Sequence, residues 1–532
     1  MEVVMLVCFI GMVGMVMWVV FVYGIEWVKS QRVRRKLRMQ GISGPPPSFL
    51  HGNLLEMHRI NTASQAKVVH SSDHTHDFTE SLFPYFEIWR KQYGLLYTYS
   101  TGIKQNLYMN SPELISEMNK LMTLDLGKPS HITNNLASLL GNGILRANGL
   151  SWSHQRKLIA PEFYMEKVKG MVDLMIESTQ PLLIKWDKAI EAKLGSDDDD
   201  GNGTVEVEVD EDLRSLAADV ISRVCFGHSY SKGIEVFSKL RLMQKMSKHG
   251  TFLFGIKGLR DTLNNIWRGK ENEIKIMEKE VESLIWELVE ERKQECSDKP
   301  SSKKDLMHLL LEAAMSDDDS TCLPKDFAKQ FIVDNCKNIY FAGHETVAIT
   351  ASWSLMLLAT YPEWQDRVRK EVAQVFPNGI PNVDSLPLLK TLTMVIHEVL
   401  RLYPPGAFVS REVYKDTQIG KLLVPKGVVL WTLIPTIHRD PEIWGANANE
   451  FQPERFKDGV SKACKYPQAY VPFGVGPRLC VGKNFAMVQL KVVLALIVSR
   501  FRFSLSPSYK HAPAYRMIIE PRHGVHLLIH KI

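Results

Sequence analysis

No charged residue occurs between Val3 and Tyr23, and almost every residue there is apolar. A stretch of that length suffices to cross the hydrocarbon core of a bilayer as a helix. Further on the pattern becomes amphipathic. Apolar residues recur at helical spacing over about 166–194, 205–225, 274–296, 325–360 and 363–376, and these stretches predict helices. The longest lies between Pro324 and Tyr361-Pro362, one proline suited to a helix start and the other to its end. At that length it would span roughly 50 Å. A further apolar stretch over Phe485–Phe501, interrupted by Gln489 and Lys491, predicts another helix. Short β-like runs surround Tyr97–Gly102, Gln105–Met109, Thr417–Leu423 and Val428–Leu433. The fold class read from this pattern is mainly α with a small β region, preceded by an N-terminal transmembrane helix.

Charge sharpens the reading of the N-terminus. Lys29, Arg32, Arg34, Arg35, Lys36 and Arg38 follow the apolar run directly and would stay on the cytosolic side. A cleaved signal peptide has the opposite order, so the segment reads as a retained anchor. These six cations equal the formal net charge of +6, which leaves the remainder near neutral and gives no nucleic-acid-binding surface. Gly44-Pro45-Pro46-Pro47 cannot be helical and reads as a hinge or an ordinary linker. The chain thus divides into a transmembrane signal anchor (1–28), a basic stretch with a proline-rich hinge (29–60) and one large folded domain (61–532). The polar stretch Asn61–Asp77, with His70, His74 and His76, reads as a surface insertion or a metal site. Seven cysteines without paired spacing fit a reducing compartment.

The densest chemical signal is Phe473-Gly474-Val475-Gly476-Pro477-Arg478-Leu479-Cys480-Val481-Gly482. Gly474 and Gly476 allow the backbone to turn tightly around a sulfur. Phe473 can cover that sulfur, Arg478 can fork onto a carboxylate, and Gly482 lets a following helix pass close. A buried free thiol in a glycine-rich turn would look the same, and so would an anionic ligand loop. The pattern F-G-x-G-x-R-x-C-x-G resembles the haem-ligand loop of the cytochrome P-450 type haem-thiolate monooxygenases.

Other segments join that resemblance. Ala342-Gly343-His344-Glu345-Thr346 lies inside the longest predicted helix, where Gly343 costs about 1 kcal/mol relative to alanine. By itself it could be a packing glycine followed by a solvent-facing acid. The resemblance implies instead a local opening over the distal haem face, with Thr346 and Glu345 delivering protons; Val347 lacks the second hydroxyl usual there. Glu398-Val399-Leu400-Arg401 and Pro453-Glu454-Arg455-Phe456 match positions that build a buried Glu–Arg–Arg network. Trp152-Ser153-His154-Gln155-Arg156 sets an indole and a guanidinium one turn apart, and with Arg411 and Arg478 these imply partners for the haem propionates.

The resemblance implies the cytochrome P-450 fold, haem b with Cys480 as axial thiolate, and electrons from NADPH. No dinucleotide or flavin fingerprint is present, so the electrons would arrive through a separate cytochrome reductase. Lys462, Lys465 and Lys483 flank the cysteine loop as candidates for its docking. The implied location is the endoplasmic reticulum membrane, single-pass, with a cytosolic catalytic domain. Phe331-Ile332-Val333-Asp334-Asn335-Cys336-Lys337-Asn338-Ile339-Tyr340 and Ile159-Ala160-Pro161-Glu162-Phe163 are similar to the plant gibberellin-modifying subfamily. The implied substrate is a terpenoid acid, a gibberellin or an ent-kaurane-type diterpenoid, to be hydroxylated or epoxidised. Triterpenoid acid hydroxylation, a haem-thiolate isomerase or dehydratase that uses no O₂, and a haem sensor remain as alternatives. Lys128–Leu145, the long helix before Thr346, Pro405–Val409 and Met517–Ile518 would face substrate. Lys128, His131 and Arg146 could meet its carboxylate or could sit in a solvated loop.

Overall fold

The apolar stretch ending at Thr360 folds as one continuous helix, Lys325–Thr360, and the other elements are arranged around it. In the computed structural model the described residues are 2–68, 76–195, 203–227, 230–246, 269–298, 305–315 and 325–532. The central helix is buried along nearly its whole length, as its largely apolar composition demands. Val209–Phe226 and Lys483–Arg500 pack against it. Pro362 occupies the first turn of the next helix, Pro362–Val375, where its missing N–H costs nothing.

The β structure is small and divided among four sheets. A five-stranded sheet orders Leu96–Thr101, Lys104–Met109, Val429–Leu433, Phe408–Val413 and Leu126–Gly127. Its pairings are antiparallel apart from Lys104–Met109 with Val429–Leu433. A second sheet joins Val205–Glu208, His526–Lys531 and Phe501–Leu505. The molecule is therefore mainly helical with a small β region.

Several boundaries differ from the sequence reading. Val205–Glu208, expected at the start of a helix, is a strand, because Val-Glu-Val-Glu alternates with period two and pairs with residues of the last strand. Gly170 ends a short helix, Met165–Lys169, before Val172–Leu194 begins. Thr417–Leu423 is a hairpin that reverses at Gly420, where φ is +58°. The C-terminal helix starts at Lys483, and Phe501 already belongs to a strand.

The proposed divisions at residues 28 and 60 both fall inside helices, Glu2–Arg38 and Leu54–Val68. The end of the first helix belongs to the folded body: Leu37 is fully buried, and Arg34 donates to the Gly44 and Pro45 carbonyls at 3.2 and 2.6 Å. Gly44–Pro47 is docked rather than free. The Thr98 N–H donates to the Ser43 carbonyl, and a Cβ on Gly44 would lie 1.9 Å from the Thr98 carbonyl oxygen. Among the described residues no helix is long and apolar enough to cross a membrane. The side chains of residues 1–8, 12, 15, 16, 19, 20 and 22 lie outside those described, and most of the expected span Val3–Tyr23 falls on them. His70 and His74 also lie outside the described residues.

Candidate active site

Between the central helix and the cysteine loop is a cavity of about 340 Å³. Its floor comes from Phe473, Gly474, Arg478 and Cys480–Gly482, with Phe485, Ala486 and Leu490 of the following helix. Its roof is Asn338, Ile339, Ala342, Gly343, Thr346, Val347 and Thr350 of the central helix.

The loop is shaped by its own backbone. Gly474 and Gly476 have φ of +79° and +67°, a region that only glycine enters at little cost. The Cys480 N–H donates to the Phe473 carbonyl at 2.9 Å and closes the turn. A Cβ on Gly482 would meet no protein atom within 4 Å, so the room it leaves is on the cavity side. Cys480 is accessible although protein packs around it, because its access is through the cavity it lines. Burial pushes its thiol up, while the Gly482 N–H, Arg156 and Lys483 favour the anion. A cationic metal centre would complete that balance, since a coordinating thiol is deprotonated outright.

One side of the cavity is strongly cationic. Lys128, Arg156, Arg411 and Arg478 all line it, and among the described residues none of these four pairs with a carboxylate. Arg478 lies over the Trp152 ring at 4.3 Å and Arg156 at 5.8 Å. Arg411 is held by the Ser410 and Val475 carbonyls at 2.8 and 3.3 Å. Burial, then the neighbouring Arg478, lowers Arg411 to about 9. Burial, then Arg411 and Arg478, lowers Lys128 to about 7. Buried cations without counter-ions are costly, so this cluster is suited to an anionic guest. A cysteine facing an apolar cavity with cations along one edge fits a haem, with a thiolate to offer the iron and Trp152, Arg156, Arg411 and Arg478 on the side where anionic groups would be met.

The roof differs from the sequence expectation. The central helix is unbroken at Gly343, and a Cβ there would lie 2.6 Å from Ile221 Cδ1 of Val209–Phe226. Helix–helix approach therefore accounts for the glycine. The Thr346 hydroxyl donates to the Ala342 carbonyl at 2.8 Å, and its oxygen remains an acceptor at the cavity wall. Glu345 points elsewhere: Arg241 Nη1 lies 2.9 Å from Oε1, and Arg214 Nε lies 3.4 Å from Oε2. Burial opposes its ionisation, yet its charged neighbours hold it below the usual carboxylate range. His344 beside it is pushed down to about 4 by burial, so at neutral pH the two arginines carry that effect.

Glu398, Arg401 and Arg455 do converge. Arg401 donates to both oxygens of Glu398 at 2.7 Å, fully buried, and Arg455 Nε lies 3.5 Å from Oε1. Arg401 also donates to the carbonyls of His438, Ala448 and Glu450, which ties the segment before the cysteine loop to Lys390–Leu402.

The substrate-facing expectations divide. Lys128, Ile144, Leu145, Pro405, Gly406, Phe408 and Val409 line the cavity; Met517, Ile518, His131 and Arg146 do not. Lys128 is half-buried at the cavity edge, with Arg411 and Arg478 as its charged neighbours. Arg146 instead donates to Gly141, Asn142 and Asn134. Asn338 and Ile339 line the cavity from the long helix before Thr346, as expected, whereas the sequence reading missed Ile221.

A family profile described as Cytochrome P450 matches residues 71–527. The chain is similar along nearly its whole length to cytochrome P450 714A2 of Arabidopsis thaliana, with 51% identity over 506 residues, covering 95% of this chain and 94% of that one. Cytochrome P450 714C2 of Oryza sativa subsp. japonica is 45% identical over 516 residues, covering 96% and 95%. Cytochrome P450 714B3 of Zea mays is 41% identical over 542 residues, covering 100% and 96%.

Proposed function

The chain belongs to the cytochrome P450 family, and from that premise we propose that it oxidises a rigid terpenoid acid of the gibberellin or ent-kaurane class. The family's chemistry is monooxygenation at a haem held by a cysteine thiolate, with electrons originating from NADPH. When bound, the haem supplies oxygen activation: the thiolate favours O–O cleavage, one oxygen atom enters the substrate and the other leaves as water.

The observation that carries this reading is Cys480 opening onto an apolar cavity whose opposite wall holds Thr346. Cys480 would hold the haem iron through its thiolate. Trp152, Arg156, Arg411 and Arg478 would hold its propionates. Thr346 holds a water and its proton at the hydroxyl oxygen. Ile144, Leu145, Ile221, Ile339, Val347, Phe408 and Val409 exclude bulk water and match a polycyclic hydrocarbon frame. The terpenoid assignment is supported by the likeness of Phe331–Tyr340 and Ile159–Phe163 to the gibberellin-modifying subfamily.

Electrons arrive from a separate reductase that docks beside the cysteine loop, where Lys462, Lys465 and Lys483 are exposed. The N-terminal helix anchors the protein to the endoplasmic reticulum membrane: Phe9, Ile10, Val13, Met17, Trp18 and Phe21 project from it into the surroundings, and six cations follow. The test incubates the protein, reductase and NADPH with gibberellins, kaurenoic acid and pentacyclic triterpenoid acids, and identifies products by mass spectrometry. Oxidation of a diterpenoid acid is expected. Oxidation of the triterpenoids alone would replace the substrate class while keeping the chemistry.

A further inference from the structure

Ile144 and Leu145 line the cavity from a segment without regular structure, lying between Leu140 and Gly149. Three side chains of the central helix hold that segment by its backbone. Asp334 Oδ2 accepts the Asn142 N–H at 2.7 Å, Asn335 Oδ1 accepts the Ile144 N–H at 3.1 Å, and Asn338 Oδ1 accepts the Leu145 N–H at 2.7 Å. Asn338 Nδ2 returns a bond to the Leu140 carbonyl at 2.6 Å. All three side chains are buried. Polar groups buried on a core helix are costly unless they are bonded, and each of these finds a partner in the loop backbone.

The loop is cut to fit them. A Cβ on Gly141 would lie 1.8 Å from Asp334 Oδ1, and one on Gly143 would lie 2.5 Å from Asn338 Nδ2. Gln330 braces the free oxygen of Asp334 at 2.7 Å, and Arg146 ties the Gly141 carbonyl from the other side at 2.9 Å.

We propose that Asp334, Asn335 and Asn338 are positioning residues that fix Ile144 and Leu145 as a rigid wall of the substrate cavity. The shape that selects the substrate is then set by hydrogen bonds to a backbone, and two of the three holding residues never touch the substrate. The inference rests on the reading of this cavity as the substrate site and not on which terpenoid fills it.

The test uses full-length haem-loaded Asn338→Ala and Asp334→Asn. Hydrogen exchange of the amides at residues 142–145 is followed by mass spectrometry. In parallel, the haem absorption spectrum is titrated with imidazole and with the bulkier 4-phenylimidazole. Asn338→Ala is expected to speed exchange at Leu145 about fivefold, the factor that one buried hydrogen bond of ordinary strength represents. Asp334→Asn keeps an acceptor for the Asn142 N–H and is expected to change exchange less. Affinity for 4-phenylimidazole is expected to shift by at least about threefold with imidazole unchanged, since only the bulky ligand reaches the wall. Unchanged exchange at Leu145 would overturn the proposal, as would equal shifts for the two ligands. Should Asn338→Ala fail to load haem, Asn335→Ala is judged by faster exchange at Ile144 and by the same ligand criterion, and unchanged exchange there overturns the proposal. Neither readout involves a terpenoid, so a wrong substrate class leaves the result intact.

Discussion

Cys480 and Cys464 are both free thiols whose ionisation burial opposes, and they differ in what they face. Cys480 looks into the cavity with Arg156 and Lys483 nearby, whereas Cys464 bonds the Tyr466 carbonyl at 3.2 Å against the smaller core cluster. Cys480→Ser is therefore expected to abolish the thiolate-haem spectrum of the reduced carbon monoxide complex, and Cys464→Ser to retain it. Thr346→Ala removes the hydroxyl at the cavity wall without emptying the cationic edge. Haem content is expected to stay near wild type, with more hydrogen peroxide and less product per NADPH consumed. Glu345 lies behind that wall with Arg214 and Arg241. Glu345→Gln leaves Arg241 without its anion and Arg214 with Glu520 alone, at 3.5 Å, and a loss of about 3 kcal/mol, the lower end for a broken buried pair, is expected in chemical denaturation. Product per NADPH in the folded fraction is expected to stay close to wild type; a fall matching that of Thr346→Ala would give Glu345 a part in proton delivery.

At the scale of elements, the contact that matters most for the site is the crossing of Lys325–Thr360 with Val209–Phe226. Gly343 meets Ile221 there, and both side-chain positions also border the cavity. Gly343→Val is expected to cost about 1–3 kcal/mol by overpacking. Ile221→Ala alone also destabilises, by leaving a void. The double variant is expected to be more stable than the sum of the two, because each relieves the other; additivity in a double-mutant cycle would show that the two do not meet. The helix itself was readable from its apolar run and bounding prolines. Which residue would approach its glycine was not, because Ile221 lies more than a hundred positions earlier in the chain. The strand Val205–Glu208 makes the same point, since its Val-Glu alternation takes on meaning only beside the last strand.

Across the whole molecule, burial silences histidines. His76, His131, His344 and His397 are each pushed down to about 4, and His438 well below its ordinary value, with burial the largest cause in every case. Their folded values lie below the unfolded value of about 6.5. Between the two the unfolded chain binds more protons, so stability rises with pH across that window and is lost as pH falls from about 6.5 towards 4. Thermal melts are expected to hold steady above about pH 6.5 and to drop steeply below it. His344→Gln is expected to flatten that slope; an unchanged slope would mean that His344 is not among the groups responsible.

Local order in the chain was enough for the cysteine loop, the helical character and the central helix. These depend on neighbours in sequence: glycines that permit positive φ, prolines that bound a helix, and apolar residues at a fixed period. The same order brought Glu398, Arg401 and Arg455 into one expectation only through the family resemblance, because the segments are distant in the chain. Tertiary structure alone decided which charges share a space. It set Lys128 beside Arg411 and Arg478, turned Glu345 away from the cavity towards Arg214 and Arg241, and set Asp334, Asn335 and Asn338 against the backbone of residues 140–145. The physical reason is common to all three. Burial cost and charge pairing depend on distance in space, and that distance is created by packing between elements, which no local pattern of residues encodes.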